Sequence, residues 1–311
     1  MKLTGTIINN YIIYCEKTKN LDWKTLKAYR TDLRQFEGYL TGKGADFQRE
    51  AVVGYIARLN GTCKPRTVKR KRASIRALTT WLLHEGLIDG NPFENLRFQT
   101  REPSYLPKVI PFWAVERMLQ AAHSEITLYP GSERALCEAA VLELLFATGV
   151  RVSELCGIKA GDLDLKDGAL RILGKGKKER IVFIEHESVL SALRQYGEQR
   201  APGRDEPFFR NRRGHALSTD SVRDIVWKYG KLSGWTERVT PHMLRHTLAT
   251  GLLENEVDIR YIQQLLGHSL ITTTQLYTHV AGGKQREIMR YQHPRNKMLL
   301  QPQDESGLGK G

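Results

Sequence analysis

Apolar residues recur at three- and four-residue steps through most of this chain, and at two-residue steps in one short interval. From Asp22 to Leu40 the positions Leu26, Tyr29, Leu33, Phe36 and Leu40 trace one face of a helix. Asp22 suits its N-cap, and Gly42 and Gly44 mark its end. A shorter helix follows through Val52, Tyr55, Ile56 and Leu59. In the next one Pro65 suits the first turn, and Val68, Ile75, Leu78 and Leu82 share one side. Phe112 to Ala122 reads as a helix, and Ser132 to Thr148 as a nearly continuous apolar one that stops at Gly149. Such all-round hydrophobicity predicts the central helix of a core. Between Asp162 and Glu185 the period becomes two. The pairs Leu163 and Leu165, Leu170 and Ile172, and Ile181 and Phe183 alternate with other residues. Asp167-Gly168 and Gly174 to Lys178 supply turns, so a small antiparallel sheet is predicted there. Helical patterns resume at Ser188. The predicted class is mainly α with a small antiparallel β-sheet.

Residues 91–111 carry Pro92, Pro103, Pro107 and Pro111 with no helical period, which predicts an interdomain linker. The expected division is a helical domain over 1–90, the linker, a second domain over 112–298, and a disordered polar tail over 299–311. A length of 311 residues accommodates two domains, and 41% hydrophobic content can build both cores.

Charge narrows the choice of partner. The formal net charge is +14, which favours a polyanion, with nucleic acid first among them. Gly61 to Arg76 contains seven Lys or Arg and no acid. Arg66, Lys69, Arg70 and Arg76 fall opposite the apolar face of their helix, either against phosphates or as a solvated face. Cys15, Cys63, Cys137 and Cys156 are scattered with no CxxC pair, against a zinc knuckle or a disulfide framework. The opening MKLTGTIINNYIIYCEK lacks a signal peptide's apolar core, and no apolar run reaches a membrane span. A cytoplasmic protein with no membrane partner is expected.

The candidate chemistry gathers in the second half. Arg151 lies in TGVRVSEL, Lys175 in LGKGKKER, His242 and Arg245 in HMLRHTLAT, His268 in LLGHS, and Tyr277 nine residues after His268. Arginine forks donate paired hydrogen bonds to phosphate oxygens and stay charged. Arg245 sits among Met243, Leu244, Leu248 and Ala249 and needs a partner, a structural carboxylate or a bound phosphate. For Arg151, Glu154 is at hand, to cancel the charge or to orient it. His242 and His268 can donate hydrogen bonds or move protons near neutral pH. His242 and His246 have helical metal-pair spacing, but the Glu of HExxH is missing and Arg245 would put a positive charge beside the cation. Lys175 is either part of a solvated basic hairpin or, once desolvated, a proton donor to a leaving alkoxide. Tyr277 is one of twelve tyrosines; a phenol becomes a nucleophile only beside positive charge and a base. The set points to phosphoryl transfer on DNA through a covalent protein intermediate, with no metal and no nucleotide cofactor.

These motifs, together with LLGHSLITTTQLYTHV and the HPR at His293 to Arg295, resemble the tyrosine recombinases of the phage-integrase family, and the Xer type most closely. The resemblance runs from the N-terminal helices to about Arg295. It implies a helical, SAM-like core-binding domain and a catalytic domain that close as a C-shaped clamp on DNA. It also implies roles. Tyr277 attacks the scissile phosphate to form a 3′-phosphotyrosyl bond and free a 5′-hydroxyl. Arg151, Arg245 and His268 stabilise the transition state, His242 assists proton transfer, and Lys175 protonates the departing oxygen. The implied partners are double-stranded DNA and three further protomers, identical or from a related recombinase, with or without accessory proteins, acting through a Holliday junction. A C-terminal helix docks on the neighbouring protomer, with Ile288 and Met289 either its anchors or packed within their own chain. The alternatives are a type IB topoisomerase, which shares the nucleophile and cations, and a non-catalytic DNA-binding protein, which has no need of Tyr277. Charge alone would also admit RNA, but no aromatic stacking motif supports it.

Overall fold

The structure, a computed structural model, describes residues 1–96, 98, 108–174, 179–267 and 286–298. Lys175, His268 and Tyr277 lie outside the described residues. The chain divides into two units, Met1–Tyr105 and Leu106–Gly311.

Among its described residues the first unit holds four helices: α1 (Gly5–Lys17), α2 (Trp23–Lys43), α3 (Arg49–Thr62) and α4 (Pro65–His84). Asp22 caps α2 by accepting from the amides of Lys24 and Thr25. Gly44, at φ 62°, ends it, so Gly42 falls inside the last turn. The predicted apolar faces turn inward: Leu33, Phe36 and Leu40 of α2 meet Val52 and Ile56 of α3 and Val68, Ile75, Leu78 and Leu82 of α4. Phe93, from the proline-rich stretch, is buried in the same core. The carboxylate of Asp32 is fully buried on α2, where it accepts from Ser74 Oγ at 2.9 Å and pairs with Arg70 and Lys71 of α4. A buried charge survives when paired this way, and the ties fix α4 against α2.

The second unit is built around one helix. It comprises α5 (Phe112–Leu128), α6 (Glu133–Thr148), α7 (Val152–Leu155), β1 (Leu163–Asp164), β2 (Ala169–Leu173), β3 (Glu179–Phe183), α8 (Glu187–Arg200), α9 (Thr219–Leu232), α10 (Pro241–Glu254) and α11 (Ile259–Leu266), with a helical stretch at 286–291 and a 3-10 turn at Pro294–Lys297. Every residue of α6 from Ala135 to Thr148 is buried, as its nearly continuous hydrophobicity predicts, and α5, α8, α9 and α10 pack around it. Its two buried carboxylates are paired inside. Glu138 takes Arg134, Lys228 and the Tyr229 hydroxyl, and Glu143 takes His123 at 2.8 Å and Arg295 at 3.1 Å. His293 is fully buried beside them, its Nε2 3.1 Å from the Ala147 carbonyl. The HPR segment is therefore part of this core. Ile288 and Met289 are too, so of the two readings of these residues the packing within the chain is the one observed.

The strands form one antiparallel sheet in the order β1-β2-β3. The phase of β3 differs from the alternation expected from sequence. Leu170 pairs with Val182, and Ile172 with Arg180, so 180 and 182 share the inward face with the buried residues of β2. Ile181 instead faces outward opposite Arg171 and is 55% exposed. Two apolar residues in the outward register, Ile181 and Phe183, outnumber the single Val182 and disguise the true face. An arginine on the inward face of a strand needs a partner.

Candidate active site

The site grows from two helix ends. Thr148-Gly149 closes α6 with Gly149 at φ 61°, a left-handed conformation that suits glycine. A Cβ there would also lie 2.6 Å from Leu266 Cδ2 and 3.0 Å from Leu248 Cδ2. The chain turns sharply, and two residues later Arg151 stands at the start of α7 with its side chain 34% exposed. Glu154, one turn on and 6% exposed, accepts from the Arg151 amide at 2.9 Å and from Arg151 Nη1 at 2.9 Å. Arg151 Nη2 reaches the carbonyl of Gly267 at 2.8 Å.

Arg245 lies on α10, whose first turn is capped by Thr240. It is 5% exposed, and its partners within the chain are backbone carbonyls, not the structural carboxylate that was one of the two expected alternatives. Nη1 donates to the Gly149 carbonyl at 2.6 Å and Nη2 to the Leu266 carbonyl at 2.7 Å. The guanidinium thus spans the C-terminal ends of α6 and α11, where carbonyl dipoles favour a cation. Among the described residues no carboxylate pairs with it. Arg151 and Arg245 therefore hold the consecutive carbonyls of Gly267 and Leu266, immediately before His268 in the chain.

A third arginine, the last residue of LGKGKKER, completes the cluster. Arg180 donates Nη1 to Glu154 Oε1 at 3.0 Å and Nη2 to Glu154 Oε2 at 2.8 Å. Gly267, at φ 65°, ends α11 so close to it that a Cβ would lie 3.0 Å from Arg180 Cζ. Its inward position is set by the pairing of Ile172 with Arg180, which the apolar pattern of the strand does not display.

The fields follow from this packing. Burial alone would raise the Glu154 pKa, but hydrogen bonds from Arg180 and from the Arg151 amide and side chain hold it at about 2. Burial first, and then the charges of Arg151 and Arg180 against the opposing pull of Glu154, bring Arg245 down to about 10, so it stays protonated at neutral pH. Among the described residues, Arg151 and Arg180 share the one carboxylate of Glu154 and Arg245 lies beside them with none of its own, leaving a positive excess in which a bound anion is stabilised. His242 is exposed near the start of α10, its ring centroid 6.1 Å from that of His246. Burial, then His242 and Arg245, lower the His246 pKa. Among the described residues no His, Cys, Asp and Glu group of three or more is arranged to hold a metal.

Glu154 has a pH consequence with a definite sign. A carboxyl whose folded pKa lies below its unfolded value stabilises the fold above the unfolded pKa and loses that contribution as pH falls through the folded one. Urea midpoints of the wild type should therefore decline from about pH 4.5 towards about pH 2. Glu154→Gln should start lower at neutral pH and decline less steeply over the same window. An equal slope in both proteins would assign the acid sensitivity elsewhere.

On α4 of the first unit, Arg66, Lys69, Arg70 and Arg76 are all exposed. Arg70 also pairs with buried Asp32, and Arg76 lies 5.9 Å from the Phe93 ring centroid. The face opposite the core thus carries exposed cations, of which Arg70 is also tied to the buried carboxylate of α2.

The comparisons with known proteins decide the family. Residues 108–283 match the phage integrase family, and residues 8–86 match the phage integrase N-terminal SAM-like domain. The chain belongs to the phage integrase family of tyrosine recombinases. A tyrosine recombinase of Agathobacter rectalis is 44% identical over 93% of this chain and 97% of its own. Tyrosine recombinase XerC of Thermodesulfovibrio yellowstonii is 36% identical over 96% and 99%, and XerD of Listeria innocua 35% over 93% and 99%. This recombinase is an enzyme of site-specific DNA breakage and rejoining. Two solved structures share its fold. XerH bound to a palindromic difH substrate, a post-cleavage complex, aligns with TM-score 0.69 and 21% identity over 90% of this chain and 83% of that one. A λ integrase tetramer bound to a Holliday junction aligns with TM-score 0.65 and 21% identity over 86% and 75%. Among its described residues, no helix of the recombinase is long and apolar enough to cross a membrane.

Proposed function

We propose that Tyr277 attacks a scissile phosphate in double-stranded DNA, forming a 3′-phosphotyrosyl bond and releasing a 5′-hydroxyl. Arg151, Arg245 and His268 neutralise the charge that develops on the non-bridging oxygens. His242 assists proton transfer, and Lys175 protonates the departing 5′ oxygen. A 5′-hydroxyl from a partner duplex then attacks the phosphotyrosine and rejoins the strands. The ester conserves the bond energy, so the exchange runs without a nucleotide cofactor. Four protomers, identical or shared with a related recombinase, exchange strands in pairs through a Holliday junction. The observation that carries this reading is the convergence of Arg151 and Arg245 on adjacent carbonyls directly before His268, with a positive excess around them. It is tested by expressing the protein in its host, lysing under denaturing conditions and sequencing the DNA that stays attached. Attachment concentrated at one short site supports the proposal, and dispersed or absent attachment contradicts it.

The domain assignment follows the same reading: a DNA-binding unit over 1–90, a linker over 91–111 and a catalytic unit over 112–298. The basic face of α4 contacts phosphates. Arg66→Ala and Lys69→Ala are expected to weaken duplex binding and each to lower the slope of log K against log salt by about one. Arg70→Ala should also lower thermal stability, because it strips a partner from buried Asp32. Mobility shifts from 50 to 200 mM salt, with a melting curve for each variant, separate the effects. An unchanged slope in Arg66→Ala and Lys69→Ala would return the helix to a merely solvated face.

A further inference from the structure

We propose that Arg180 is a positioning residue for Arg151, acting through Glu154. The inference rests on the catalytic reading of Arg151 given above. Glu154 is nearly inaccessible and would hold Arg151 bidentately if the two were alone, turning its planar fork away from a substrate. Arg180 prevents this. Its own fork takes one hydrogen bond to each carboxylate oxygen, at 3.0 and 2.8 Å. Arg151 is left with a single side-chain bond to Oε1 and one to the Gly267 carbonyl. Two of its five donors are thus engaged among the described residues, enough to fix the plane of the guanidinium while other N–H groups remain for a phosphate. The carboxylate charge is divided between two arginines, so Glu154 orients Arg151 without cancelling it.

The geometry favours orientation over simple stabilisation. Arg180 is 17% exposed, and its Nε is buried with no partner among the described residues. A buried donor left unmade costs free energy, and ion pairs at such depth add little net stability. The same guanidinium packs against Gly267, the residue whose carbonyl Arg151 holds. Arg180 thereby braces both supports of Arg151, Glu154 on α7 and Gly267 at the end of α11, against β3, a rigid element.

The test is single-turnover cleavage of a nicked suicide duplex bearing the site recovered from cells, by wild type, Arg180→Lys, Glu154→Gln and the double variant. Duplex affinity and melting temperature are measured alongside. Lysine keeps the charge but has no fork. Arg180→Lys is expected to melt near the wild type, to bind the duplex within about twofold, and to cleave on the order of a hundredfold more slowly, the scale of a 1 Å misplacement. Because both residues act along one path, the double variant should be no slower than the slower single one. Wild-type cleavage by Arg180→Lys, losses that multiply in the double variant, or affinity that falls in step with cleavage would each overturn the role of Arg180. A wild type that forms no adduct would instead overturn the catalytic reading, and this proposal with it.

Discussion

Tyr277→Phe is expected to bind its DNA site with unchanged affinity and to form no covalent adduct. The substitution removes one oxygen. Phenylalanine keeps the aromatic ring, so the effect isolates the hydroxyl proposed as nucleophile. A tyrosine hydroxyl is almost wholly protonated near neutral pH and attacks a phosphodiester only where neighbouring charge stabilises the phenolate. The proposed role of Tyr277 requires such a field, and the cluster of Arg151, Arg180 and Arg245 around Glu154 carries a positive excess of the kind needed. Denaturing gels of a labelled suicide duplex would read the outcome, with a shifted band for the wild type and none for the variant. An equal band from Tyr277→Phe would place the nucleophile elsewhere.

The arginines should differ from each other in an informative way. Removing one preorganised donor from a developing oxyanion costs about 3–4 kcal/mol, so Arg151→Ala and Arg245→Ala should each cleave at least about a hundredfold more slowly. Their effects on the fold should diverge. Arg151 is partly exposed, and its loss leaves Glu154 still paired with Arg180. Its variant should melt close to the wild type. Arg245 is buried and satisfies the carbonyls of Gly149 and Leu266, at the ends of two helices. Leaving both unpaired costs about 1–3 kcal/mol each, so Arg245→Ala should melt several degrees lower. Arg245→Lys keeps the charge but cannot span both carbonyls, and should restore little cleavage. Cleavage rates and melting curves on one set of proteins separate the two roles. Full cleavage by Arg151→Ala would remove it from the chemistry.

The helices and the placement of Arg151 follow from patterns of one residue type at a time. The apolar period marks α2, α4 and α6, and Asp22, Pro65, Gly44 and Gly149 mark their ends because capping is local chemistry. Glu154 is readable as a partner of Arg151 because one helical turn separates them. The partners of Arg245 are not, since backbone carbonyls carry no sequence signature and Gly149 and Leu266 are distant in the chain. Arg180 is hidden for a different reason. Strand phase is judged from apolar residues, and in ERIVF the outward Ile181 misleads. Only the pairing of Ile172 with Arg180 shows that the arginine faces in. The burial of Ile288 and Met289 likewise depends on long-range packing, which a short amphipathic segment leaves open between its own chain and a neighbour.

The central claim is a covalent bond between Tyr277 and DNA. The most direct measurement is mass spectrometry of the protein isolated with its attached DNA, after digestion by nuclease and protease. The peptide spanning LLGHSLITTTQLYTHV is expected to carry a nucleotide through its 3′-phosphate, with the modification on Tyr277. A nucleotide on a different residue, or attached through a 5′-phosphate, would contradict it.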